Sequence, residues 1–241
     1  MENHFGEEVA ARYDERHARL ATADVVDPIV DFLAGVAGDG PALELGVGTG
    51  RIALPLAAQG IAVHGIDLSE AMVARLRAKP GGDELEVTIG DFATTRVEGT
   101  FSLVYLVANT IMNLTTQDQQ VDCFQNAAAH LEPGGCFVIE VLVPGLQRLP
   151  AGERYQAFDV SPTHLGFDEI DVATQRLTSH HFWIDDGEAQ VFSPPFRYVW
   201  PSELDLMARL AGMSLRERWG GWEREPFTAE SAKHISVWVK P

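Results

Sequence analysis

Hydrophobic and polar positions alternate in two different rhythms along this chain. Phe5, Val9, Tyr13, His17 and Leu20 recur at helical spacing and predict an amphipathic helix over 5–20. Asp27-Pro28 reads as the cap and first turn of a second helix, with Ile29, Val30, Phe32, Leu33 and Val36 as its apolar stripe. Short apolar runs then alternate with helical patterns. Ala42–Leu45, Ile61–Ile66, Leu85–Ile89, Phe101–Val107 and Cys136–Val143 predict five buried strands. Between them lie helices over Arg51–Ala58, from the cap Ser69 through Lys79, and behind the capping box Thr116-Gln117-Asp118-Gln119, where Val121, Phe124, Ala128 and Leu131 face inward. Pro133-Gly134-Gly135 predicts the end of that last helix. This alternation specifies an α/β fold, a doubly wound and mostly parallel sheet.

The rhythm changes after residue 150. Leu165–Ala173, Arg176–Ile184 and Gln190–Tyr198 read as extended segments, the last two joined by a hairpin turn at Asp185-Asp186-Gly187. A helix over Ser202–Ala211 and strands over Leu215–Trp222 and Ile235–Val239 close the chain. The expected architecture is a single domain over 1–241. It has an N-terminal helical cap or lid (1–40), a core (41–145), a small antiparallel β insertion (150–200), and a closing segment (201–241) that adds a late antiparallel hairpin to a seven-stranded sheet.

The stretch PALELGVGTGRIAL places Gly46, Gly48 and Gly50 at every second position, directly behind a predicted strand and ahead of a helix. Glycine there lets the backbone turn tightly and admits a ligand against it. The helix behind offers free N–H groups, and ligands of open α/β sheets bind beyond the carboxyl ends of the strands. Glu44 precedes the glycines by two residues, Asp67 ends the second strand, and Asp91-Phe92 ends the third.

Composition narrows the ligand. The formal net charge is −17 over 241 residues, which argues against nucleic acid and anionic membranes as partners. A small molecule, cationic or amine-bearing, suits that charge. No apolar run approaches a membrane span of roughly 20 residues, and the charged, helical start does not read as a secretory signal. A cytoplasmic monomer or homodimer is expected. Cys123 and Cys136 stand in apolar surroundings and predict core thiols rather than a disulfide or metal pair; no metal is expected.

Taken in order and spacing, these motifs resemble class I S-adenosylmethionine-dependent methyltransferases. The first motif is E-x-G-x-G-x-G, GIDLSEAM and TIGDFAT follow, and LVANTIMN and HLEPGGCFVIEV complete the match over roughly 5–145. The resemblance implies S-adenosylmethionine as cofactor. Asp67 would grip the ribose diol as a bidentate acceptor, with Leu68 and Met72 as apolar walls. Asp91 would meet the adenine amino group, with Phe92 against the ring. Glu44, Gly46, Gly48, Gly50 and Arg51 would surround the methionine end, joined by Val107 and Asn109 after the fourth strand, and Tyr13 would cover the site from the first helix. The implied reaction is methyl transfer to N or O of a small-molecule metabolite or natural product. Such a step needs alignment and exclusion of water more than a strong catalytic group.

Candidates on the acceptor side are Glu140, Arg148, Tyr155, His164, His180, His181 and Trp183, with Asn109, Thr110 and Asn113 behind the fourth strand. Along 176–184 side chains alternate faces, so His181 and Trp183 share one side. His181 is the candidate base and Tyr13 the second candidate catalytic group. Two other readings compete: a non-catalytic S-adenosylmethionine-binding protein, and an NAD-dependent oxidoreductase. The latter would call for G-x-G-x-x-G.

Overall fold

The computed structural model describes residues 2–146, 149–185 and 188–241. Arg148 and the turn residues Asp186 and Gly187 lie outside the described residues. Helix α1 spans Glu7–Arg16 and a 3₁₀ turn follows over Ala18–Ala21. Helix α2 spans Ala23–Ala37, with Thr22 at its N-cap, so Asp27-Pro28 does not open it. Pro28 sits inside the helix, where it removes one N–H; Val26, Ile29, Val30, Phe32 and Leu33 bury the stripe on either side of it.

Strand β1 (Ala42–Leu45), α3 (Ala53–Ala58), β2 (Val63–Asp67), α4 (Glu70–Arg77), β3 (Glu86–Ile89) and β4 (Phe101–Leu106) follow as the periodicity predicts, within one to two residues. The Ser69 hydroxyl caps α4 by accepting from Met72 N–H. The capping box at Thr116 opens α5 (Gln117–His130), and β5 (Leu131–Leu142) begins directly behind it. Pro133-Gly134-Gly135 therefore lies within the span of β5 and does not precede it. The pairing with β4 shifts register there, and Gly134 has φ +83°.

The central sheet has seven strands in the order β3-β2-β1-β4-β5-β12-β11, where β11 spans Ser214–Trp219 and β12 spans Lys233–Val239. All pairs are parallel except β5–β12 and β11–β12. Alternation fills both faces. Val104 and Leu106 of β4 join Phe124, Phe137 and Trp238 under α5 and α6 (Pro201–Leu210). Leu103 and Tyr105 join Leu33, Leu56 and Leu76 under α2, α3 and α4. Phe124 meets Phe137 and Trp238 edge-to-face at 5.1 and 5.3 Å. Both cysteines are free and buried.

The insertion forms a second, antiparallel sheet of β6 (Tyr155–Val160), β7 (His164–Asp171), β8 (Arg176–Asp185), β9 (Glu188–Phe192) and β10 (Pro195–Arg197). Strand β6 is absent from the sequence reading because only Gln156 and Asp159 of it are less than exposed, so it shows no apolar period. The segment 190–198 is two strands rather than one. Both pair with β8, and Pro194-Pro195 separates them by withholding ladder N–H groups.

Candidate active site

Beyond the carboxyl ends of β1, β2 and β4 lies a cavity of about 360 Å³, roofed by α1 and closed on its far side by the second sheet. The glycine turn forms one wall. Gly46, Gly48 and Gly50 all hold positive φ (+76°, +54° and +78°), so each is in a conformation that L side chains rarely adopt. Their surroundings differ. A Cβ at Gly46 would lie 2.6 Å from Thr110 Cγ2, and one at Gly50 2.9 Å from Leu76 Cγ. Those two glycines make room for neighbouring side chains, and Gly46 also lines the cavity. A Cβ at Gly48 would have only the Met72 methyl, 3.6 Å away, before open cavity.

Asp67 is fixed by two backbone donors: Gly48 N–H to Oδ2 at 2.7 Å and Ser69 N–H to Oδ1 at 2.8 Å. Each oxygen keeps a second lone pair, and Asp67 lines the cavity. Burial raises its pKa, and those N–H groups work against the rise. Leu68, Met72 and Phe92 line the same end. A carboxylate with lone pairs free to accept from a diol, a wall of Met72 and Phe92, and a Cβ-free backbone surface fit an adenosyl group in shape and donor chemistry.

Tyr13 also lines the cavity. It is edge-on to Phe5 at 6.2 Å and 4.3 Å from the His17 ring, and burial raises its pKa. Its helix is latched to the glycine turn. Thr49 Oγ1 donates to Asp14 at 2.6 Å, Lys79 Nζ pairs with Asp14 at 2.7 Å and donates to Thr49 O at 2.8 Å, and Ser69 Oγ donates to Phe5 O.

Other expected residues stand behind the cavity rather than in its wall. Glu44 is buried beneath the turn and accepts from Tyr105 Oη at 2.9 Å. Burial pushes its pKa up to about 8, against the pull of that hydroxyl and of Arg51. Arg51 donates to Leu20 O at 3.1 Å, tying the turn to the start of the chain. Asp91 Oδ1 accepts from Ala93 N–H at 2.9 Å, which fixes the loop presenting Phe92. Val107 is buried in the core. Ala108 and Asn109 take left-handed φ of 55° and 64° and line the cavity by this bend. Asn109 Oδ1 accepts from Leu142 N–H at 2.8 Å, and Glu140 accepts from Ala108 N–H, Trp222 Nε1 and Lys233 Nζ. Glu140 thus holds the loop and does not face a ligand.

At the far end, Asp168 on β7 and Ser179, His181 and Trp183 on β8 line the cavity. Asp168 pairs with Ser179 across the two strands, His181 with Gly166, and Trp183 with His164, so all these side chains share one face. The His181 ring lies within 11° of parallel to those of Trp183 and His164, with centroids 5.0 and 5.2 Å away. Burial, followed by the neighbouring His164, pushes its pKa down to about 4, which leaves a neutral imidazole. Asp168 is raised by burial, with the Ser179 hydroxyl acting against this. The expectations place His181 and Trp183 correctly on one side and omit Asp168 and Ser179. Their period-2 alternation with His181 in 164–183 carried the signal, but only the pairing of β7 with β8 brings them together. Tyr155 and His180 lie away from this wall, in contact with Glu169. Among the described residues no group of three or more His, Cys, Asp or Glu is arranged to hold a metal ion, and no helix is long and apolar enough to cross a membrane.

A model of a methyltransferase domain matches residues 42–135. The CcbJ methyltransferase of Streptomyces caelestis is 38% identical, superposes with a TM-score of 0.81, and is matched over 91% of this chain and 96% of its own. The cypemycin N-terminal methyltransferase of Streptomyces sp. is 28% identical over 203 residues, 81% of each protein. The fold is shared with CalS10 of Micromonospora echinaspora, an amino pentose methyltransferase with bound S-adenosylmethionine, at 21% identity, a TM-score of 0.71, and 95% and 96% coverage. The chain belongs to the class I S-adenosylmethionine-dependent methyltransferases. It is an enzyme that uses S-adenosylmethionine, and the oxidoreductase and non-catalytic readings fall away.

Proposed function

We propose that this enzyme methylates an amine nitrogen of a small molecule, with residues 41–145 holding the donor and 150–200 the acceptor under the cap of 1–40. The observation that carries the reading is the single cavity with two unlike ends: Asp67, Gly48 and Phe92 at one, Asp168, Ser179 and His181 at the other. When bound, S-adenosylmethionine would supply an electrophilic methyl group on a sulfonium sulfur for transfer to the acceptor nitrogen. Asp67 would hold the ribose diol, Met72 and Phe92 the adenine, and Gly46 and Tyr13 the remainder of the donor.

An amine enters mostly as an ammonium ion and must lose a proton to attack. Asp168 attracts and orients the cation, and neutral His181 takes the proton. The aromatic walls at Trp183, Phe192 and Phe196 exclude water from the nucleophile. Two of the relatives above carry an amino terminus or an amino sugar in their names, which agrees with a nitrogen acceptor. The test is a mass-spectrometric screen of the enzyme with S-adenosylmethionine against amino sugars, peptide amino termini and matched hydroxyl analogues. Methylated amines are the expected product. Products only from the hydroxyl analogues would overturn the nitrogen assignment.

A further inference from the structure

The acceptor end of the cavity continues into a chain of hydrogen-bonding groups that reaches the surface. Asp168 stands opposite Ser179 on the paired strands, and the Ser179 hydroxyl acts against the rise that burial gives its pKa. Ser179 Oγ lies 3.2 Å from His181 Nε2, His181 Nδ1 lies 3.1 Å from His164 Nε2, and His164 Nδ1 lies 2.7 Å from Asp159 Oδ2. Asp168, Ser179 and His181 line the cavity. The His164 side chain is 17% exposed and that of Asp159 44% exposed, so the chain runs from the interior to water. Its path is fixed by packing. The two imidazoles and Trp183 lie with their rings near-parallel and their centroids 5.0–5.2 Å apart, and Phe158 braces His181 at 5.2 Å. Phe158 stands at a bulge in β6 opposite Gly166, where any Cβ would lie 2.2 Å from its ring.

Counting hydrogens shows what the chain is set to do. With both carboxylates ionised and both imidazoles neutral, it owns three hydrogens, one from each imidazole and one from the hydroxyl, for its three hydrogen-bonded contacts and the approach of Asp168 to Ser179. One contact is short of a hydrogen. If His164 donates to Asp159 and His181 to His164, Ser179 donates to His181 and the gap falls at Asp168, on the cavity wall. An ammonium N–H fills that gap. A fourth hydrogen satisfies every contact, with one imidazole then cationic.

We propose that Asp159, His164, His181, Ser179 and Asp168 form a proton relay that carries the proton lost by the acceptor amine out to solvent at Asp159. This rests on the amine reading above. The proton enters at Ser179 or Asp168 as the hydroxyl hydrogen passes to His181 Nε2. The Nδ1 hydrogen of His181 then passes to His164, and the excess proton rests on His164 beside the Asp159 carboxylate before leaving to water. His181 does not keep it: burial first, and then His164, His17, Arg16 and His180, act against a charge there. Arg16 lies over the neighbouring Trp183 ring at 3.8 Å. Asp159 and His164 are positioning residues, acting through His181.

The decisive experiment is a pH titration of imidazole ¹⁵N shifts in the ligand-free full chain and in Asp159→Asn, with kcat and calorimetric S-adenosylmethionine affinity for both. In the wild type the resonances of His164 and His181 should move together as one proton is taken up, with His164 becoming doubly protonated. Asp159→Asn removes the acceptor at the outer end of the chain and should uncouple the shifts of the two rings. It should also reduce plateau kcat about 10- to 100-fold, less than a base itself contributes, with cofactor affinity unchanged. Independent titration of the two rings, or a kcat within about twofold of wild type, overturns the relay. The nitrogen reading fails separately, if no amine is methylated, and the shift titration still decides whether the groups form one proton path.

Discussion

The proposed donor end of the cavity is made by the tips of strands, and the acceptor end by their faces. At the donor end most groups come from turns directly behind β1, β2, β3 or β4, with Met72 added by α4 and Tyr13 by α1, and backbone atoms do much of the holding: Gly48 and Ser69 fix Asp67, and Ala93 fixes Asp91. At the acceptor end the groups are side chains of β7 and β8, fixed by packed and hydrogen-bonded rings. Titratable groups at the two ends are driven in opposite directions by the same cause. Burial holds Glu44 protonated, up to about 8, and His181 unprotonated, down to about 4. Both become neutral. A protein with a formal net charge of −17 thereby keeps an uncharged Glu44 behind one end of the cavity and an uncharged His181 in the wall of the other.

Four measurements break or sharpen the contrast. Gly48→Val should abolish S-adenosylmethionine binding in calorimetry while the circular dichroism spectrum persists, since the side chain enters the cavity from a φ of +54°. Wild-type affinity would show the cofactor does not approach this turn. His181→Ala should reduce kcat about 10²- to 10⁴-fold and leave cofactor affinity within about twofold, the pattern of an acceptor-end base. A parallel loss of affinity would join the two ends functionally.

Asp67→Ala should weaken cofactor binding by about 1–3 kcal/mol, because two charge-assisted hydrogen bonds are lost. An unchanged dissociation constant would take Asp67 out of the site. The smallest effect is on stability. Glu44 holds its proton in the folded chain up to about 8 against an ordinary 4.5, so the unfolded chain releases it first. Stability is therefore lost as pH rises from 4.5 towards about 8 and levels off beyond. Glu44→Gln should flatten that slope in melting temperatures recorded across the window; an unchanged slope would mean Glu44 ionises in place.

The same contrast explains what could be read from the sequence. Donor-end groups follow one another within 44–92, and each lies next to a strand end that hydrophobic runs reveal, so Gly48, Asp67 and Phe92 were legible. Glu44, Arg51, Asp91 and Val107 were legible as neighbours of that site, but alternation puts them behind its wall rather than in it. Acceptor-end groups depend on register. Asp168 faces Ser179 only because β7 and β8 pair as they do, and a slip of one residue would turn both away. Strand β6, mostly exposed, left no periodic trace, and with it Asp159 escaped notice. The start of α2 was misplaced because Asp-Pro is a strong opening signal, whereas here the apolar stripe on both sides of Pro28 is buried and carries the helix through.

Eight of the residues lining the cavity belong to the first seventeen: Glu2, Asn3, His4, Phe5, Val9, Tyr13, Arg16 and His17. They touch both ends, Tyr13 beside the glycine turn and Arg16 over Trp183. One short segment is thus a shutter common to two ligands. It is fastened to the donor side by Asp14 with Thr49 and Lys79 and by Ser69 with Phe5, and it reaches the second sheet through Arg16 and Gln190. One helix spans both ends of the cavity, so a change that displaces it is felt at both.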